Sequence, residues 1–160
     1  MGYGMSHISI GKAQFGTKCF YINRMDGSKT DISFHHAISP KTELAKIKLA
    51  CRSAVSKIIT SKKCSVVFGV ETCPFTKEIL LPHNTHIDHY DLTFAELFNI
   101  WYKDQDHSRL AAAINPTEDN NTHTYFTDNE IVQDFLSFHN ANTHLRAVSA
   151  YANLSILRAS

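Results

Sequence analysis

Long apolar runs are missing from this 160-residue chain. Nothing approaches the roughly 18–20 consecutive apolar residues that a membrane-spanning helix needs. Glycine and proline are scarce, six and four, which excludes collagen-like and low-complexity chains. The opening stretch, MGYGMSHISIGK, lacks the charged-then-apolar order of a secretory signal and does not fit the myristoylation pattern. No Cys-x-x-Cys pair occurs among the four cysteines, so the spacing gives a zinc site little support. With no sign of export, free buried thiols are expected rather than disulfides. These absences describe a soluble intracellular chain with no membrane partner.

What is present is an ordinary globular balance, 43% hydrophobic and 19% charged, enough for one domain with a core and too apolar for wholesale disorder. Ten histidines are the compositional oddity, and they point to metal or acid–base chemistry. A net charge of +1 hides an asymmetry. From Lys41 to Lys63 there are seven basic residues against Glu43 alone, and from Asp88 to Asp134 ten acids against Lys103 and Arg109. The basic segment is either a phosphate-contacting face, through Lys46, Lys48, Arg52, Lys57, Lys62 and Lys63, or the solvated side of an amphipathic helix.

Residues 18–23 and 30–34 are rich in aromatic and β-branched types around Asp26-Gly27-Ser28, which predicts a β-hairpin. Ser39-Pro40 offers a helix cap, and Leu44, Ile47, Cys51, Val55 and Ile58 predict a long amphipathic helix over 40–61. Residues 65–70, SVVFGV, read as a short buried strand. Helices are predicted over 93–103, burying Phe94, Leu97, Phe98 and Trp101, and from an Asp128 cap to about Phe138. Residues 115–124 read as a polar surface loop, and 144–158 as mildly helical or mixed. With no internal repeat or linker, the expected fold is a single α+β domain over 1–160. Its halves would be a hairpin and basic helix over 1–63, and a ββα-like segment with C-terminal helices over 64–160.

The segment His86-Ile87-Asp88-His89 carries the chemistry. A carboxylate is a hard oxygen ligand for Mg²⁺, and a neutral imidazole can take a proton from water. Metal-assisted phosphodiester hydrolysis uses both. In an extended segment His86 and Asp88 share a face. The alternative is a surface Asp–His hydrogen bond. Further ligands have to come from the C-terminal run, where His139, Asn142, His144 and Asn153 are available. Asn153 lies in a small, apolar stretch and needs a partner, a ligand role or a capping role there. His107 and His123 read as surface residues, and one of His35 and His36 as packing on the hairpin.

Two resemblances follow from these residues. Cys19-Phe20-Tyr21-Ile22-Asn23-Arg24-Met25-Asp26-Gly27-Ser28, with Asp31-Ile32-Ser33-Phe34 after it, resembles the core signature of the DCL-like ("defective chloroplasts and leaves") family, with Ile32 where Phe is usual. The resemblance covers about residues 1–39 and implies a nucleic-acid setting. Cys73-Pro74-Phe75-Thr76-Lys77, His86-Ile87-Asp88-His89 and Thr93-Phe94-Ala95-Glu96-Leu97 resemble the bacterial and phage branch of that family, with Lys77 where Gly is usual. The Asp-His core with a distant Asn is similar to HNH (His-Me finger) nucleases. That likeness implies Asp88 as metal ligand, His89 as general base, Asn153 as second ligand and His139 in reserve. Asn153 is 64 positions beyond His89, so the likeness requires a long insertion or a different arrangement.

The expected function is a metal-dependent endonuclease in the cytoplasm of a bacterial or phage-infected cell. Mg²⁺ or Mn²⁺ would be its cofactor and DNA, or else RNA, its substrate. Arg146 would stabilise the scissile phosphate, since a guanidinium suits bidentate phosphate contact. The alternatives are a non-catalytic nucleic-acid-binding or regulatory domain, and a small phage-type inhibitor or adaptor acting through protein contacts.

Overall fold

The computed structural model describes residues 4–12, 16–33, 41–116 and 123–157. The chain is mixed α+β and forms two compact units: Met1–Lys46 with Pro116–His123, and Ile47–Asn115 with Thr124–Ser160. Cap residues Ser39 and Pro40, the pair His35 and His36, and residues 117–122 of the polar loop lie outside the described residues.

The first unit holds three antiparallel strands in chain order, β1 (Met5–Lys12), β2 (Lys18–Arg24) and β3 (Lys29–Ser33). The β2–β3 hairpin forms where its turn residues predict it. Asp26 accepts hydrogen bonds from the Ser28 amide (2.9 Å) and hydroxyl (2.7 Å), and Gly27 takes a φ of +82°, which an L side chain resists. β1 is an addition to the predicted elements. It pairs with β2 so that Ile8 meets Ile22 and Ile10 meets Phe20, and it leaves Ile8 and Ile10 exposed. Gly11 admits the Tyr21 ring, since a Cβ there would lie 2.5 Å from the ring edge.

The second unit is organised by α1 (Glu43–Cys64) from Ile47 onward, α2 (Phe94–Lys103), α3 (His107–Ala112) and α4 (Asn129–Asn142). Apolar residues three and four apart on α1, Ile47, Ala50, Cys51 and Val55, meet Phe94, Phe98 and Trp101 of α2 and Ile131 and Phe135 of α4 in one core. Thr93 and Glu96 form a capping box at the start of α2: the Thr93 amide donates to the Glu96 carboxylate at 2.7 Å and Thr93 Oγ1 accepts from the Glu96 amide at 3.3 Å. The Trp101 indole N–H donates to Asp134 at 2.7 Å and ties α2 to α4.

Residues 65–70 are not a strand. α1 runs on to Cys64, and the segment turns at Gly69 (φ +82°) with Val66 buried but Val67 and Val70 exposed. The second sheet is instead made by β4 (Thr85–Tyr90) and β5 (His144–Ser149), which pair antiparallel across an insertion that contains α2, α3 and α4. A π-helical turn, Ala152–Ile156, follows β5 directly. Val66, Cys73, Leu80, Val148 and Ala152 form a smaller core that fixes the 65–80 segment to β5 and this turn. The four cysteines are free; Cys19, Cys51 and Cys73 are buried as expected, but Cys64 is exposed. Among the described residues, no helix is long and apolar enough to cross a membrane.

Candidate active site

β4 is extended, so its side chains alternate between faces. His86, Asp88 and Tyr90 take one face, with Val148, Arg146 and His144 opposite them on β5. Ile87 and His89 take the other, opposite Ala147 and Leu145. Asp88 and His89 therefore work in different surroundings despite being adjacent.

On the first face, Arg146 Nε donates to Asp88 Oδ2 at 2.8 Å. The guanidinium lies over the Phe75 ring (4.6 Å) and the Tyr90 ring (5.0 Å), so its plane is held from three directions. Asn153, in the π-helical turn, donates through Nδ2 to His86 Nδ1 at 2.9 Å, which puts the His86 proton on Nε2. The structure thus brings Asn153 to a residue two positions from Asp88 on the same face. These bonds use Asp88 Oδ2 and Asn153 Nδ2, and no hydrogen bond from a described residue is made to Oδ1 of either. Among the described residues, no three His, Cys, Asp or Glu side chains gather into a metal-binding group.

On the second face, His89 Nε2 lies 3.0 Å from Nε2 of His139, which is fully buried on α4. The Phe94 ring meets His89 edge-on at 5.6 Å and carries the Arg52 guanidinium at 4.3 Å. Burial first, then His139 and Arg52, push the His89 pKa down to about 4 against the pull of Asp88. Burial lowers His139 too, with the Asn140 side chain opposing it. His139, expected as a reserve ligand, contacts His89, Phe135 and the Thr143 hydroxyl.

The basic residues of α1 divide along and around the helix. Lys48 lies over Phe98 at 5.4 Å, as Arg52 does over Phe94. Lys57 and Lys62 edge a shallow open groove of about 520 Å³ that is completed by Ile58, Ser61, Ser65 and Leu145. Lys46 and Lys63 are half-buried. Leu145 is the cross-strand partner of His89, so the groove and the imidazole share one side of the sheet.

The remaining expected donors have local roles. Asn142 caps its own helix by donating to the Phe138 carbonyl (2.8 Å), and His144 pairs with Asp91 at 3.1 Å. His107 is exposed and stacks on Tyr102, and His123 is exposed. Sequence reasoning missed the flanking of Arg146 by Phe75 and Tyr90. It also missed the setting of Cys73: burial opposes, but hydrogen-bond donors from Ser149 and Thr76 lower its thiol below the ordinary cysteine range.

Residues 1–38 match a family described as a protein of unknown function (DUF3223). That is the stretch of the β1–β3 sheet, and the match does not reach the site just described. No curated protein and no solved structure matches the chain.

Proposed function

We propose that the second unit is a metal-dependent nuclease that hydrolyses phosphodiester bonds. The observation that carries this reading is the order strand, strand, helical turn, with the Asn153 amide bonded to His86 beside Asp88. Helices α2–α4 are the long insertion that the distance from His89 to Asn153 requires.

The donor set suits a hard cation. Asp88 Oδ1 and Asn153 Oδ1 are a carboxylate and an amide oxygen, and Mg²⁺ typically takes one or two protein oxygens, waters and substrate phosphate. Asp88 and Asn153 would hold it, and when bound it supplies charge neutralisation at the phosphate. Burial keeps His89 uncharged at physiological pH, which leaves a ring lone pair for the proton of the attacking water while lowering the basicity of the ring. With Nε engaged by Asp88, Arg146 keeps its two terminal nitrogens for phosphate oxygens. Arg52, Lys57 and Lys62 supply positive charge on the other side of the sheet from Asp88 and Arg146, where a neighbouring length of the DNA or RNA backbone would run.

The test is cleavage of supercoiled plasmid with Mg²⁺ or Mn²⁺ against EDTA. Nicking should require metal, and His89→Ala should abolish it with DNA affinity kept within a few-fold. Salt-sensitive DNA or RNA retention with no cleavage under any metal would turn the reading to a binding module, the function that the basic groove alone supports.

A further inference from the structure

His139 is the most completely buried histidine of the second unit, and Nδ1 of its ring has no hydrogen-bond partner. A buried polar atom left unpaired costs stability, and an apolar side chain would fill a core position on α4 beside Phe135 without that penalty. Its close polar neighbours are the Thr143 hydroxyl, the Asn140 side chain, which makes no hydrogen bond to Nδ1, and His89, Nε2 to Nε2 at 3.0 Å. Two neutral imidazoles at that distance share one proton between those nitrogens: one ring donates and the other accepts.

We infer that His139 is a positioning residue, which accepts a hydrogen bond from His89 Nε2–H and so leaves the lone pair on His89 Nδ1 for the attacking water. The inference rests on the nuclease reading, in which His89 is the base. Were the proton to run the other way, His89 would carry its own proton on Nδ1 and have no lone pair left for the water. As acceptor, His139 keeps its own proton on Nδ1, and the Thr143 hydroxyl, 3.4 Å from Nε2, can donate to the same lone pair. The unpaired Nδ1–H is then the cost of holding the base in a single tautomer. Phe94, edge-on to His89, fixes the ring from a second side, so the base has one orientation as well as one tautomer.

The experiment uses the full chain. Long-range ¹⁵N–¹H correlation spectra at neutral pH without metal should report His89 as the Nε2–H tautomer and His139 as the Nδ1–H tautomer. In His139→Phe, His89 should lose that single tautomer and kcat should fall roughly 10- to 100-fold with KM nearly unchanged. His139→Gln, which keeps an acceptor, should recover most of the loss. His89 found as Nδ1–H, or His139→Phe as active as the wild type, overturns the inference. A wild-type chain inactive with Mg²⁺ and Mn²⁺ is a different result, because it removes the nuclease reading on which the inference stands. If His139→Phe fails to fold, the tautomer measured in the wild-type chain and the activity of His139→Gln decide the matter.

Discussion

Adjacent residues on a strand point to opposite faces, and at Asp88 and His89 this divides two chemistries between two environments. Asp88 pairs with Arg146, while His89 is held neutral among Phe94, His139 and Arg52. A single residue also shapes the first unit. Gly11 lies against the Tyr21 ring so closely that a methyl group would displace it, together with the 2.9 Å hydrogen bond from the Tyr21 hydroxyl to the Lys12 carbonyl. Gly11→Ala should destabilise the β1–β2 pair by about 1–2 kcal/mol, the usual cost of overpacking. Hydrogen exchange of the β1 and β2 amides would report it, and unchanged protection would show that the ring yields freely.

Among the elements, α2 is the most legible in the sequence. Its capping box and its apolar spacing are local signals, and Thr93, Phe94, Glu96 and Leu97 all serve the helix itself. The SVVFGV run misleads because an apolar run becomes a strand only when a partner pairs with it, and here the chain turns at Gly69 instead. Pairing of β4 with β5 is not legible, since the two strands lie far apart in sequence, on either side of α2–α4. The His86–Asn153 contact follows from that pairing, and the His89–His139 contact from the placing of α4 beside β4; both join residues distant in sequence and are hidden for the same reason. The basic face of α1 is visible as composition, but its division between the aromatic side and the groove depends on what α1 packs against. Lys57→Glu with Lys62→Glu should weaken nucleic-acid binding and make its dependence on salt shallower, by about one in log–log slope for each phosphate no longer neutralised. A gel-shift series across salt concentrations checks this, and unchanged slopes would remove the groove from the interface.

For the whole molecule, the neutral pair His89 and His139 links stability to pH. The pKa of each is depressed in the folded chain, so the unfolded chain binds more protons as the pH drops below the ordinary histidine value of about 6.5. Stability of the second unit should hold above that value and fall progressively toward pH 4, the value for folded His89. Urea unfolding at a series of pH values measures it. A midpoint that stays constant or rises on acidification across that window would contradict the burial of the pair.

The nuclease reading stands or falls on the face that carries Asp88 and Asn153. The most direct measurement is a Mn²⁺ titration of the ¹⁵N-labelled chain, read as paramagnetic broadening of amide signals. Signals of β4 around Asp88 and of the turn around Asn153 should broaden first. Asp88→Ala should remove that broadening with the fold intact. Broadening scattered over surface acids such as Asp104 and Asp106 before α3 and Glu130 on α4, unchanged by Asp88→Ala, would contradict the metal site and the function built on it.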